Sequence, residues 1–116
     1  MPSTTGYKRG DVVLISFPFT DLTSTKRRPA LIVSPDSFNK LQQDLILAAI
    51  TSQISEDEIA IVLADQDFQE GELPRKSMVK LTKLFTIHSE LVVKRVCTLS
   101  EKKMAEVLQK LRDFYS

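Results

Sequence analysis

At 116 residues the chain is long enough for one domain that buries a core without metal or disulfide staples. Hydrophobic residues at 42% and charged residues at 27% are the balance of an ordinary globular protein, and no apolar run approaches the length that crosses a bilayer, which excludes membrane insertion. A formal net charge of +1 excludes the overall basic balance of a non-specific nucleic-acid coat and leaves only local basic patches, of which residues 26–28, 75–76, 80–83 and 94–95 are the clearest.

Residues 1–6 lack a basic segment followed by an apolar one, so they read as a loose N-terminal tail and not a signal peptide, and the expected location is the cytoplasm. The rest of 1–116 is expected to be a single domain, since no linker, repeat or low-complexity tract divides it. Residues 11–17 are aliphatic on both faces and predict a buried strand. Residues 18–28, rich in Thr, Ser and charge, predict a loop long enough to reach a ligand. A second strand is expected over 29–34, a short helical turn from Ser34-Pro35-Asp36 through Asn39, a third strand over 45–52 and a fourth over 59–63. After the break at Gly71-Glu72-Leu73-Pro74, two further short strands are expected at 77–81 and 84–87, and a small piece at 93–98. The C-terminus predicts an amphipathic helix capped by Ser100, with Leu99 and Met104 as a hydrophobic staple and Met104, Val107, Leu108, Leu111 and Phe114 as its apolar stripe. Together these elements predict a mainly β, α+β domain: a small, strongly bent, largely antiparallel sheet or partly open barrel covered by the terminal helix.

One histidine, His88, one cysteine, Cys97, and acids without ligand spacing do not make a metal site, and no metal or other cofactor is expected. Cys97, in Val96-Cys97-Thr98-Leu99, reads as a small buried strand residue. Nothing marks an activated serine, and three glycines, at 6, 10 and 71, do not form a phosphate-binding loop. The remaining chemistry is charge stabilisation and hydroxyl positioning, which suits RNA, because RNA supplies its own nucleophile in the 2′-OH. Pro29 biases Arg28 toward an extended backbone, so the guanidinium is set at a strand mouth by local sterics. Its fork matches two phosphate oxygens, which makes Arg28 the candidate for stabilising the phosphorane and assisting the leaving group. Thr51, at the end of the run Leu45 to Ile50, is the candidate for positioning the phosphate; the bland alternatives are a strand-entry arginine and a β-forming threonine. Lys26, Arg27, Phe19, Gln53 and Lys80 are the candidate RNA contacts: cations for the backbone, an aromatic on which a base can stack, and an amide beside Thr51. Lys80 and Lys83 are out of phase along a regular strand, so at most one of them is expected to face a groove, with Lys80 the better placed.

These residues also carry a resemblance. Arg9-Gly10-Asp11-Val12-Val13, then Arg28-Pro29-Ala30-Leu31-Ile32-Val33-Ser34-Pro35, then Ala49-Ile50-Thr51-Ser52-Gln53, and Phe85-Thr86-Ile87 before the last helix resemble, in order and spacing, the MazF/PemK (Kid) toxins of type II toxin-antitoxin systems. The resemblance implies an SH3-like barrel with a C-terminal helix (the CcdB/MazF-like toxin fold) in a homodimer. It further implies a metal-independent endoribonuclease, an mRNA interferase, that cuts single-stranded RNA to a 2′,3′-cyclic phosphate and is inhibited by a cognate antitoxin. It implies Arg28 and Thr51 as the catalytic pair. The chain departs from the family pattern at 21–25, which lacks the usual glycines and Glu-Gln pair, at Thr82, where some members carry an acid, and at Phe85 and His88, which stand where an arginine and an acid are frequent. Two alternatives keep the barrel: a weak or inactive relative that binds RNA or antitoxin, and a toxin that poisons a protein target such as a topoisomerase.

Overall fold

The computed structural model describes residues 6–17, 26–56 and 59–116. Seven strands form one sheet: β1 (Asp11–Phe17), β2 (Lys26–Ile32), β3 (Asp44–Thr51), β4 (Ala60–Leu63), β5 (Phe68–Gly71), β6 (Ser77–His88) and β7 (Val92–Leu99). Their order across the sheet is β4-β6-β3-β2-β1-β7-β5, with every neighbouring pair antiparallel. The short helix α1 (Asp36–Gln42) connects β2 to β3, and α2 (Glu101–Tyr115) follows β7. The first half of β6 pairs with β4 and the end of β3, and its second half pairs with the start of β3. β7 divides in the same way between β1 and β5. Strands shared like this, with bulges in their ladders, bend the sheet into a curled half-barrel whose edges are β4 and β5.

Because side chains alternate across a strand, the sheet buries apolar residues on both faces. One face carries Val12, Leu31, Ala48, Ile50, Val79 and Leu81, and it is covered by Met104 and Val107 of α2. The other carries Val13, Ile15, Ala30, Ile32, Leu45 and Leu47, all fully buried, with Phe85, Ile87 and Val92 packed against them.

The Arg9-Gly10-Asp11 segment anchors β1. Gly10 takes a left-handed φ of 98°, and the Arg9 Nε–H donates to the Val33 carbonyl at 2.8 Å. Asp11 is buried, and its carboxylate accepts from the Lys8 backbone N–H and the Thr98 hydroxyl, each at 2.9 Å. A second buried polar knot, in which the Ser34 hydroxyl donates to Asn39 and accepts from the Ile46 N–H, ties α1 to β3. The terminal helix starts where expected. Ser100 Oγ accepts the Lys103 N–H at 3.1 Å, and Leu99 and Met104 are both buried. Lys103 also pairs with Asp67 at 3.4 Å, with both side chains mostly shielded.

Several boundaries differ from those expected. β2 begins at Lys26, so residues 26–28 are strand and not loop; pairing with β1 runs on past Pro29 through Ile15↔Arg28 to Phe17↔Lys26. The two strands expected at 77–81 and 84–87 are one strand, β6, interrupted by a bulge. β5, a short and largely exposed edge strand, lacks the apolar alternation that would have announced it. Phe114 leaves the apolar stripe of α2: it is 46% exposed and meets Tyr115 edge to face, while the Tyr115 hydroxyl donates to the Leu81 carbonyl at 2.8 Å. The expected loop over 18–25, including Phe19, lies outside the described residues, as do residues 1–5 of the expected tail.

Gly71 pairs with Cys97 at a φ of 70°, and a Cβ there would meet the Val96 carbonyl oxygen at 2.7 Å and Cys97 Cβ at 3.0 Å. Gly71→Ala is therefore expected to lower stability by about 1–3 kcal/mol, read as a shift in the denaturant midpoint at constant m. Burial, with a smaller push from the Asp11 carboxylate, raises the Cys97 thiol from 9.0 to about 11. Since the unfolded thiol ionises first, the stability carried by this site is full below pH 9 and is lost as pH rises toward 11. Denaturation across that window should show a steeper loss in the native chain than in Cys97→Ala; equal slopes would refute the assignment.

Candidate active site

The β2–β3 ladder pairs Ile32↔Leu47, Leu31↔Ala48 and Ala30↔Ala49. Continued by two residues, the same register sets Arg28 across from Thr51. Both residues share strand parity with the second apolar face, Arg28 with Ala30 and Ile32, and Thr51 with Leu45 and Leu47. They therefore extend that face beyond its apolar part, at the end of the sheet where the strands run out. Arg28 and Thr51 line a common open cleft of about 330 Å³, with Pro29, Ala49, Ile50 and Phe85 as its apolar surface. Arg28 is exposed and Thr51 half-buried, so the guanidinium reaches solvent while the hydroxyl is held.

Thr51 Oγ1 accepts the backbone N–H of Gln53 at 3.1 Å. That contact closes the turn after β3 and occupies an acceptor position on the oxygen, leaving the hydroxyl proton to donate to a ligand.

Two more cations complete the lining, Lys80 and Lys83. On β6, Val79 lies opposite Ile50 and Leu84 opposite Ala48, so four residues, 80–83, face the single residue Ala49. This bulge breaks the two-residue alternation and turns both lysines into the cleft. The expectation that at most one of them would do so is thereby corrected; it assumed a regular strand. Bulges commonly re-aim side chains next to active sites, and Lys83 is the residue that strand parity alone hides. Thr82, in the same bulge, is exposed and outside the lining.

Of the other residues expected at the site, Arg27 is exposed and alternates onto the opposite side of β2 from Arg28, outside the cleft. Gln53 is exposed and stands beyond the lining, with its backbone turned onto Thr51. The side chain of Lys26 and all of Phe19 lie outside what the structure describes. His88 is also absent from the lining: its Nδ1 accepts the Glu90 N–H at 3.1 Å and caps a single 3₁₀ turn over Ser89–Leu91.

Two larger concavities differ in charge. One of about 560 Å³ between the sheet edges mixes Asp65 and Glu72 with Arg75 and Lys76. One of about 490 Å³ beside α2 mixes Asp11, Asp36 and Glu101 with Lys8 and Arg9. Among the described residues the smaller cleft is lined by three cations and no acid. Of the three it is the one built to hold an anion. Among the described residues no group of three or more His, Cys, Asp or Glu side chains is placed to hold a metal ion, and no helix is long and apolar enough to cross a membrane.

Over residues 8–115 the sequence matches the PemK-like, MazF-like toxin family of type II toxin-antitoxin systems. The chain belongs to this family. Endoribonuclease MazF of Staphylococcus saprophyticus is 30% identical over 101 residues, which cover 86% of this chain and 83% of that protein. MazF in a MazE–MazF crystal structure from Deinococcus radiodurans has the same fold, with a TM-score of 0.75, 20% identity, and coverage of 93% of this chain and 94% of that one. A mycobacterial endoribonuclease solved in complex with its cognate antitoxin superposes with a TM-score of 0.73 at 15% identity, covering 95% and 93% of the two chains. The curled half-barrel with its C-terminal helix is thus the MazF fold, as the resemblance implied.

Proposed function

We propose that this MazF-family chain is a toxin that acts as an endoribonuclease on single-stranded RNA, with Arg28 and Thr51 as its catalytic pair. The observation that carries the reading is the convergence of these two side chains, from neighbouring strands, in an open cleft that the described residues line with cations and no acid. The family match and the endoribonuclease relative support the same activity. A phosphodiester entering the cleft places its two non-bridging oxygens against the Arg28 fork and accepts a hydrogen bond from the Thr51 hydroxyl. The adjacent 2′-hydroxyl attacks phosphorus and releases its proton to solvent water as the new P–O bond closes the 2′,3′-cyclic phosphate. The bond to the 5′-oxygen breaks in line, and that oxygen takes up a proton from solvent water to leave as a hydroxyl. Negative charge builds on the phosphoryl oxygens during attack, and a fixed cation already in position stabilises it more than it stabilises the ground state. Lys80 and Lys83 add to the same field. Side-chain cations thereby supply the charge that a divalent ion supplies in other nucleases, and we read the reaction as metal-independent.

The partner that follows from this reading is a cognate antitoxin, as in the mycobacterial and Deinococcus complexes. We also read the whole chain as one toxin domain that works in the cytoplasm as a homodimer.

The test is cleavage of a labelled single-stranded RNA in EDTA. Arg28→Ala is expected to lower the cleavage rate by about 10²–10³-fold, the usual cost of one well-placed donor to a developing anion, with the melting temperature unchanged because the side chain is exposed. Arg28→Lys should recover only part, since a point charge lacks the fork. Binding without cutting by the native chain, or cutting only with a divalent ion, would overturn the proposal. Thr51→Val, which keeps the shape and removes the hydroxyl, is expected to cost roughly 10- to 100-fold in rate, the worth of a hydrogen bond to a charged group. A Thr51→Val enzyme with native kcat would remove the hydroxyl from the mechanism.

A further inference from the structure

We infer that Phe85 is the platform on which one unpaired base of the RNA stacks, with Lys80 and Lys83 holding a backbone phosphate of the same nucleotide or its neighbour; this rests on the nuclease reading of the cleft. A phosphate alone has no use for an apolar floor, yet Pro29, Ala49, Ile50 and Phe85 make up half of the described lining residues. A nucleotide joins a flat π-face to an anion, and the cleft joins an apolar floor to a cationic rim. Its volume of about 330 Å³ sits at the lower end of the ~300–1,000 Å³ typical of small-ligand sites, a scale that suits one nucleotide rather than a duplex.

The placement of Phe85 makes it the stacking residue of this floor. It is half-buried, packed against the cluster that contains Ile15, Ile32 and Leu47, and it lies across the ladder from Leu47. A ring held this way loses little freedom when a base covers it, so most of the contact energy appears as affinity. The bulge at 80–83 directly precedes Leu84 and Phe85, so platform and cations are set by the same distortion of β6 and share one geometry. Stacking is tolerant of base identity, because every base has a π-face. The subsite therefore fixes where the chain of nucleotides sits relative to Arg28 and Thr51, and leaves the choice of base to edge contacts.

The experiment measures binding of short labelled 2′-O-methyl RNAs, which lack the nucleophile and are not cut, by the native chain, Phe85→Leu, Phe85→Trp, Lys80→Gln and Lys83→Gln. Each variant is first checked by thermal melting. Phe85→Leu is expected to weaken binding about 10-fold, in the range of one lost base–aromatic stack, and Phe85→Trp to hold affinity within about 3-fold. Each lysine variant should reduce the dependence of log K on log salt by about 0.7, one released counterion on a single strand. An RNA carrying a single abasic position, scanned along the strand, should lose affinity for the native chain at one site, with no further loss in Phe85→Leu. Additive losses at every position, or a folded Phe85→Leu that binds like the native chain while Arg28-dependent cleavage persists, would overturn the subsite and leave the nuclease reading standing. Phe85-dependent binding with no cleavage of unmodified RNA would do the reverse. Failure of the native chain to bind any RNA would sink both.

Discussion

The pairing of β2 with β3 through Ala30 and Ala49 governs what this molecule can do. Pro29 lacks an N–H and fixes the backbone of its predecessor in an extended form, so the strand is held straight up to Arg28 while its hydrogen bonding to β3 fades. The register set by three apolar pairs carries over to the polar residues beyond them, and a slip of one residue would move Arg28 to the other face of the sheet, away from Thr51. Such a slip is prevented by the core, because Ala30, Leu31 and Ile32 are each fully buried and their exchange between faces would expose one cluster and overpack the other. The site is thus assembled by the same apolar packing that makes the fold stable, on strands and not on a loop.

Charge in the cleft comes from an irregularity, and the irregularity has a structural cause. β6 must serve β4 and β3 at one end and only β3 at the other, so its ladder with β3 is displaced where the two halves meet. The displaced residues are those between Val79 and Leu84, and they include Lys80 and Lys83. A regular strand would have presented one lysine to the cleft. The bend that curls the half-barrel therefore also doubles the number of lysines beside Arg28.

The positions of Arg28 and Thr51 beside apolar strand runs were readable from the chain because each is placed by its own neighbours: a proline and an apolar run for one, the end of an apolar run for the other. The buried strands and the capped terminal helix were readable for a similar reason, since a continuous apolar run or a stripe at helical spacing is written locally. Lys83 in the cleft, the fusion of two expected strands into β6, and the edge strand β5 were not, because they depend on which strands share a partner. That is a property of the assembled sheet. The start of β2 at Lys26 belongs to the same group: Lys26-Arg27-Arg28 looks like loop by composition and becomes strand because β1 offers it a ladder. Cys97 shows the converse, for its burial follows from a short apolar context that needed no topology, whereas its place near Asp11 comes from the β1–β7 ladder.

An exposed guanidinium is a weak electrostatic catalyst on its own, since water and salt screen charges within about 10 Å. Arg28 and Lys83 are both exposed in the free chain, so the strength of the field on a phosphate depends on what covers the cleft. On the proposed nuclease reading, RNA lying across the apolar floor of Pro29, Ala49, Ile50 and Phe85 would displace water from beside the cations and lower the local dielectric, which would strengthen their attraction for the charge that develops during attack. The substrate would thereby become a wall of the proposed site. Nucleotides remote from the scissile bond would then contribute to the rate of the chemical step as well as to affinity, because their binding would complete the environment of the Arg28 guanidinium. On that reading the exposure of Arg28 in the free protein is what leaves it within reach of the RNA, where it would carry transition-state charge in the complex.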